Sequence, residues 1–206
     1  LPLYRELLKL YNEGKVSFKD VEVYSIDEYY PAPADSFSRN RRLYQNFIAQ
    51  VDVKPENVHI PKLTEALDST TVSEFCADFD AKARALDVLV MGIGEKGQVG
   101  FNEVGATEQS RTRTVLLTYS SRKKESKNFS GNLEATPDKA IAMGISTMMS
   151  AKKIYLIAWG EDKANAVKKV TEDKADSSCP ASLLQKHDNI SFYVDENSAS
   201  LLTRNV

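Results

Sequence analysis

Residues 86–103 read Leu-Asp-Val-Leu-Val-Met-Gly-Ile-Gly-Glu-Lys-Gly-Gln-Val-Gly-Phe-Asn-Glu, and this stretch constrains the fold more than any other. A short apolar run rich in Val and Leu is the pattern of a buried strand. Gly92, Gly94, Gly97 and Gly100 behind it let the chain turn tightly and let backbone approach a ligand. In open α/β sheets the site lies there, outside the carboxyl ends of the strands. The spacing of Gly92, Gly94 and Gly97 matches a dinucleotide fingerprint, but that motif needs a helix directly behind it and an acidic residue about 20 positions on. Here Gly100 and Phe101-Asn102-Glu103 follow instead, so no cofactor is expected.

The rest of the chain alternates strand and helix signals. Leu3, Leu7, Leu8 and Tyr11 recur at helical spacing, with Gly14 as a stop. Val21–Ile26 is β-branched and reads as a strand, ending in Asp27-Glu28-Tyr29-Tyr30-Pro31, which reads as a site loop in which Asp27 is either a helix cap or a functional acid. Ser36–Val51 predicts a basic amphipathic helix with Phe37, Leu43, Phe47 and Ile48 inward and Arg39, Arg41 and Arg42 on a solvated face. Ser73–Leu86 predicts the helix leading into the central strand, with Phe75 and Phe79 inward. Arg113–Tyr119 is a further strand, and residues 122–129 form a charged segment, an exposed helical turn. Thr136-Pro137-Asp138 carries helix-start signals, so Ala140–Met149 is expected to continue a helix or bend at Gly144, with Met143, Met148 and Met149 as core filling. Ile154–Gly160 and Ile190–Val194 are strands separated by helices that open near Lys163 and Pro180. This alternation predicts an α/β fold with a doubly wound, mainly parallel sheet covered by helices on both faces.

Composition narrows the function. With 27 basic and 29 acidic residues the formal net charge is −2, which gives no reason to expect a nucleic-acid or anionic-membrane surface. No apolar stretch approaches the ~20 residues of a membrane helix. Cys76 and Cys179 lack ligand spacing and read as buried free thiols, in keeping with a reducing, cytoplasmic setting. His59 and His187 have no companion ligands, so no metal site is expected.

The glycine turn ending in Phe101-Asn102-Glu103 resembles the signature of the glucosamine-6-phosphate deaminase family, whose relatives include the 6-phosphogluconolactonases. The resemblance runs over nearly the whole chain, and the Phe-Asn-Glu ending is similar to the deaminase branch. It implies one Rossmann-type three-layer domain over residues 1–206, similar to the deaminase-like domain of two-domain members. In the family a first strand and a phosphate-cradling loop precede the opening helix; neither is expected ahead of Leu3 here, either because the sequence lacks its natural start or because the element has been lost, the first being favoured since a parallel sheet without its opening strand exposes an edge.

By the same resemblance Asp27 is the general base that takes the proton from C2 of the sugar, and Glu103 assists ring opening. Gly94 and Gly97 lie against the substrate, and Lys163 binds its phosphate. Lys127 stands where the family has a phosphate-gripping arginine, and lysine keeps the charge while giving up bidentate geometry. Two positions depart from the family: its aspartate is Lys96 here and its histidine is Gln98. An amide cannot donate and recover a proton near neutral pH as imidazole does, whereas Lys96 could serve as an acid if burial lowered its pKa. The expected function is an amino-sugar phosphate isomerase or deaminase, a homo-oligomer acting on a small sugar phosphate. A sugar-phosphate-binding protein without turnover is the alternative, and a 6-phosphogluconolactonase is third.

Overall fold

In the computed structural model, which describes residues 2–34, 37–84 and 86–203, helices and strands alternate as the apolar pattern requires. The order is α1 (Pro2–Asn12), β1 (Val23–Tyr24), β2 (Asp27–Tyr29), α2 (Arg39–Asn46), β3 (Val58–His59), α3 (Ser69–Lys82), β4 (Leu89–Gly92), β5 (Arg113–Leu116), α4 (Tyr119–Glu125), β6 (Lys139–Ala142), α5 (Ile145–Met148), β7 (Ile154–Ala158), α6 (Ala164–Glu172) and β8 (Ile190–Val194). β4, β7 and β8 form a parallel sheet in that order, and β1 pairs in parallel with β3. This is the expected mainly parallel α/β architecture. An antiparallel set, β2-β6-β5, stands beside it.

The main core lies on one face of β4-β7-β8. Leu89, Met91, Ile154, Leu156 and Ala158 pack there against Phe79 and Ala83, Met148 of α5, and Val167 and Val170 of α6. Met143 and Met148 are fully buried, as core filling requires. β1 and β4 have no strand on their remaining edges among the described residues, and both border a groove of about 480 Å³ together with Leu3, Tyr4 and Leu7 of α1. Val88 and Val90, on that side of β4, are 52% and 38% exposed.

Several local expectations are corrected. Asp27-Glu28-Tyr29 is not a loop: it is a buried strand, because Tyr29 must reach the cluster formed with Phe101 and Phe129. The preceding strand is short, only Val23–Tyr24. Lys139–Ala142 is a strand rather than a helix, since Ala140, Ile141 and Ala142 are fully buried between β2 and β5 and tertiary pairing overrides local propensity. The helix expected at Ser36–Val51 covers only Arg39–Asn46, capped by Ser38, then a separate single turn at Ile48–Gln50; Ser36 lies outside the described residues, and Phe37 is exposed. The helix expected at Ser73–Leu86 begins at Ser69, where the Asp68 side chain accepts from the amides of Thr70 and Thr71. His59 lies in β3 with its ring stacked on Tyr24, and His187 contacts the Ala151 carbonyl, so both are structural.

Candidate active site

The glycine turn is held from within and from behind. The Gly94 amide donates to the Gln98 carbonyl at 2.8 Å, and the Gln98 side-chain oxygen accepts from the Lys96 amide at 3.0 Å. A Cβ on Gly94 would stand 2.2 Å from that same oxygen, so the glycine makes room for the brace. Gly97 has φ +78, and a Cβ there would stand 2.2 Å from the Cys179 sulfur. The Ala181 amide meets the Gly97 carbonyl at 2.8 Å. The turn is thus clamped against residues 179–181, and no helix follows it, which disposes of the dinucleotide pattern.

Phe101-Asn102-Glu103 divides three tasks among three side chains. Phe101 is buried beneath the Arg39 guanidinium, whose centre lies 4.5 Å from the ring centroid. Asn102, fully buried, donates to the carbonyls of Val99 and Met143 and accepts from Arg113. Glu103 turns toward the crevice: one oxygen accepts from the Thr118 amide at 3.2 Å, and the other is buried without a partner.

The crevice measures about 250 Å³ and is lined by Arg39, Gly94, Gln98, Gly100, Glu103, Ser121, Lys124 and Glu125 among others. Asp27, 3% exposed, lies behind the crevice in the adjoining groove, beside Arg39, Ile26 and Gly92, which line both. One Asp27 oxygen pairs with Arg39 Nε at 2.9 Å. The other, buried without a partner, faces Gly100, where a Cβ would come within 3.0 Å of it. Burial raises the Asp27 pKa, with Glu28 and Glu125 adding to the rise and Arg39 opposing it. An unpaired buried carboxylate oxygen costs stability and is retained mainly where chemistry uses it.

The expected residues separate into those that converge and those that do not. Gly94, Gln98 and Glu103 line the crevice, and Asp27 lies behind it in the adjoining groove, against Arg39 and Gly100. Lys163 is close by, its side chain 16% exposed, with Nζ 2.7 Å from Asp162 and 3.9 Å from Glu95. Lys96 is exposed on the rim and reaches Ser120, so the burial that an acid role required is missing. Gln98 braces the turn. Lys127 is exposed on the turn Ser126–Phe129 and does not line the crevice, whereas Lys124 does, with Nζ 2.6 Å from Glu95.

Four crevice residues, Arg39, Ser121, Lys124 and Glu125, escaped the sequence reading. Arg39, expected on a solvated face, is the ion-pair partner of Asp27 and Glu125. Glu125 also accepts from the Tyr29 hydroxyl and from Asn128. Once Thr118 is read as a helix cap, Ser121, Lys124 and Glu125 fall at i, i+3 and i+4 on one face, a signal that was available. A larger cavity of about 600 Å³ involves Asp80 and Arg113, but Asp80 is satisfied by Thr112 and Thr147. Among the described residues no group of three His, Cys, Asp or Glu side chains could hold a metal, and no helix is long and apolar enough to cross a membrane.

Comparison with known proteins agrees with this fold. The sequence model of the glucosamine-6-phosphate isomerases and 6-phosphogluconolactonase matches residues 1–192. A glucosamine-6-phosphate deaminase-like protein of Bacteroides thetaiotaomicron is 38% identical over 98% of this chain, which spans 31% of that protein's length. Glucosamine-6-phosphate deaminase 1 of Giardia intestinalis is 34% identical over 98% of this chain and 76% of its own. Among solved structures, a monomeric glucosamine-6-phosphate deaminase superposes with TM-score 0.89 at 31% identity, covering 97% of this chain and 83% of that one. The 6-phosphogluconolactonase of Trypanosoma brucei shares the fold at TM-score 0.73 and 18% identity, over 95% of this chain and 81% of its own.

Proposed function

The chain belongs to the glucosamine-6-phosphate isomerase/6-phosphogluconolactonase family, and on that premise we propose that its crevice isomerises and deaminates an amino-sugar phosphate. The reaction is glucosamine 6-phosphate plus water to fructose 6-phosphate plus ammonia, a hydrolytic release of the amine. The observation that carries the reading is the unpartnered oxygen of buried Asp27, which faces Gly100 of the crevice lining. A carboxylate so placed can take the C2 proton of the opened sugar, and its raised proton affinity brings it closer to working pH. Glu103, with one free buried oxygen, assists ring opening. Lys163 and Lys124, both beside Glu95, hold the phosphate in this reading, Lys124 taking the part first expected of Lys127. Ammonia release from glucosamine 6-phosphate, present in the parent and lost in Asp27→Asn, tests it.

A second reading, a sugar-phosphate-binding domain without turnover, is favoured by one observation: Gln98 is committed to bracing the turn and Lys96 lies outside the crevice. Binding of the sugar phosphate with no ammonia release selects it. The expected first strand would fit the groove bordered by β1, β4 and α1. A chain carrying such a segment ahead of Pro2 should melt higher than the chain described. Given a monomeric structural relative, assembly is best decided by sedimentation.

A further inference from the structure

We propose that Arg39 is the positioning residue of Asp27: it keeps the buried carboxylate charged, fixes one of its oxygens, and leaves the other, unpaired toward Gly100, as the single oxygen free to take a substrate proton. The inference rests on the general-base reading of Asp27.

Arg39 is wedged between carboxylates from two elements, with Nε 2.9 Å from Asp27 of β2 and Nη1 3.2 Å from Glu125 of α4. Its planar head rests on the Phe101 ring, so the fork is held in plane as well as by charge. The helix start that carries it is anchored by Glu28, fully buried, which accepts from Ser38 Oγ, the amides of Tyr29, Arg39 and Asn40, and Asn40 Nδ2. Glu28 therefore already has its own donors, and Asp27 has Arg39.

The charges around Asp27 make the dependence one-sided. Glu28 adjoins it on the same strand, Glu125 faces it from α4, and Glu103 and Lys124 line the crevice beyond; Arg39 alone among the described residues pairs with it. Without Arg39, burial and two neighbouring acids would all favour protonation, and a neutral carboxyl cannot take a proton from carbon. Lysine at position 39 would return the charge without the fork.

The test is titration of the Asp27 carboxyl by carbon-13 NMR, assigned with Asp27→Asn, alongside the pH profile of kcat/KM. Arg39→Met should move the Asp27 midpoint upward by roughly 1 pH unit or more, the usual effect of losing an adjacent opposite charge. The acid limb of kcat/KM should move with it, and Arg39→Lys should recover part of both shifts. If Arg39→Met does not fold, Arg39→Gln carries the same titration. An unchanged midpoint in a folded variant overturns the inference even where Asp27→Asn abolishes turnover. A shifted midpoint in a protein that never releases ammonia supports it while removing the deaminase reading.

Discussion

Replacing Gly97 by alanine tests whether the clamped turn is a strained, fitted part. Two costs add. An L-residue at φ +78 carries left-handed strain of about 1–2 kcal/mol. The new Cβ would stand 2.2 Å from the Cys179 sulfur, which is itself buried and has nowhere open to go. Relieving that overlap by shifting side chains or backbone costs about 1–3 kcal/mol. If the shift breaks the Ala181-to-Gly97 bond, a further ~0.5–1.5 kcal/mol is lost. The sum with that bond lost, about 2.5–6.5 kcal/mol, should lower Tm by roughly 5 °C or more at the 2–4 °C per kcal/mol usual for a chain of this size. Calorimetry reads the total, and a double-mutant cycle separates its parts. In a Cys179→Ala background the overlap with sulfur is gone, so Gly97→Ala should cost only the backbone strain, a coupling of about 1–3 kcal/mol. Ammonia release should fall as well, since Gln98 and Gly94 are positioned by the same turn. A Tm within roughly 2 °C of the parent, or a cost unchanged by Cys179→Ala, would refute the clamp.

Further outcomes follow from the crevice. A hexose 6-phosphate should raise Tm while the unphosphorylated sugar does not, and Lys163→Met or Lys124→Met should erase that shift while Lys127→Met leaves it; equal shifts with both sugars would remove the phosphate site. Burial raises Asp27 above its ordinary value of 3.8, so its stabilising contribution is complete below that value and is lost as pH rises through the raised one. The stability of Asp27→Asn minus parent should therefore grow with pH across that window, and a flat difference in chemical unfolding contradicts it. Joint replacement Lys96→Asp with Gln98→His should raise ammonia release by ~10²–10⁴-fold if a positioned acid-base pair is what the crevice lacks. No gain, in a protein whose turn remains folded, would mean that the Gln98 brace is itself required.

The general layout was legible in the chain because it rests on local, repeated signals. The Val- and Leu-rich run before Gly92, the helical spacing in α1, and the strands at 154–158 and 190–194 each follow from short-range patterning. So does the position of the candidate site, since in open α/β sheets sites lie outside the carboxyl ends of strands. Glycine at 94 and 97 is required by contacts that the sequence does not display, with Gln98 and Cys179, but the residue type already announced a close approach. What only tertiary structure decided was which polar groups face one another. Residues 139–142 follow helix-start signals at 136–138 and carry two alanines, yet become a central strand because two partners, 27–29 and 113–116, bury them from both sides. Arg39 looks like any arginine on a basic helix, and nothing local distinguishes it from Arg41 or Arg42. It is set apart by carboxylates 12 and 86 positions away, at 27 and 125, which meet only when β2 and α4 pack across Phe101. A charge on an amphipathic helix reads as solvated until a distant partner claims it, and burial and pairing are properties of the assembled chain.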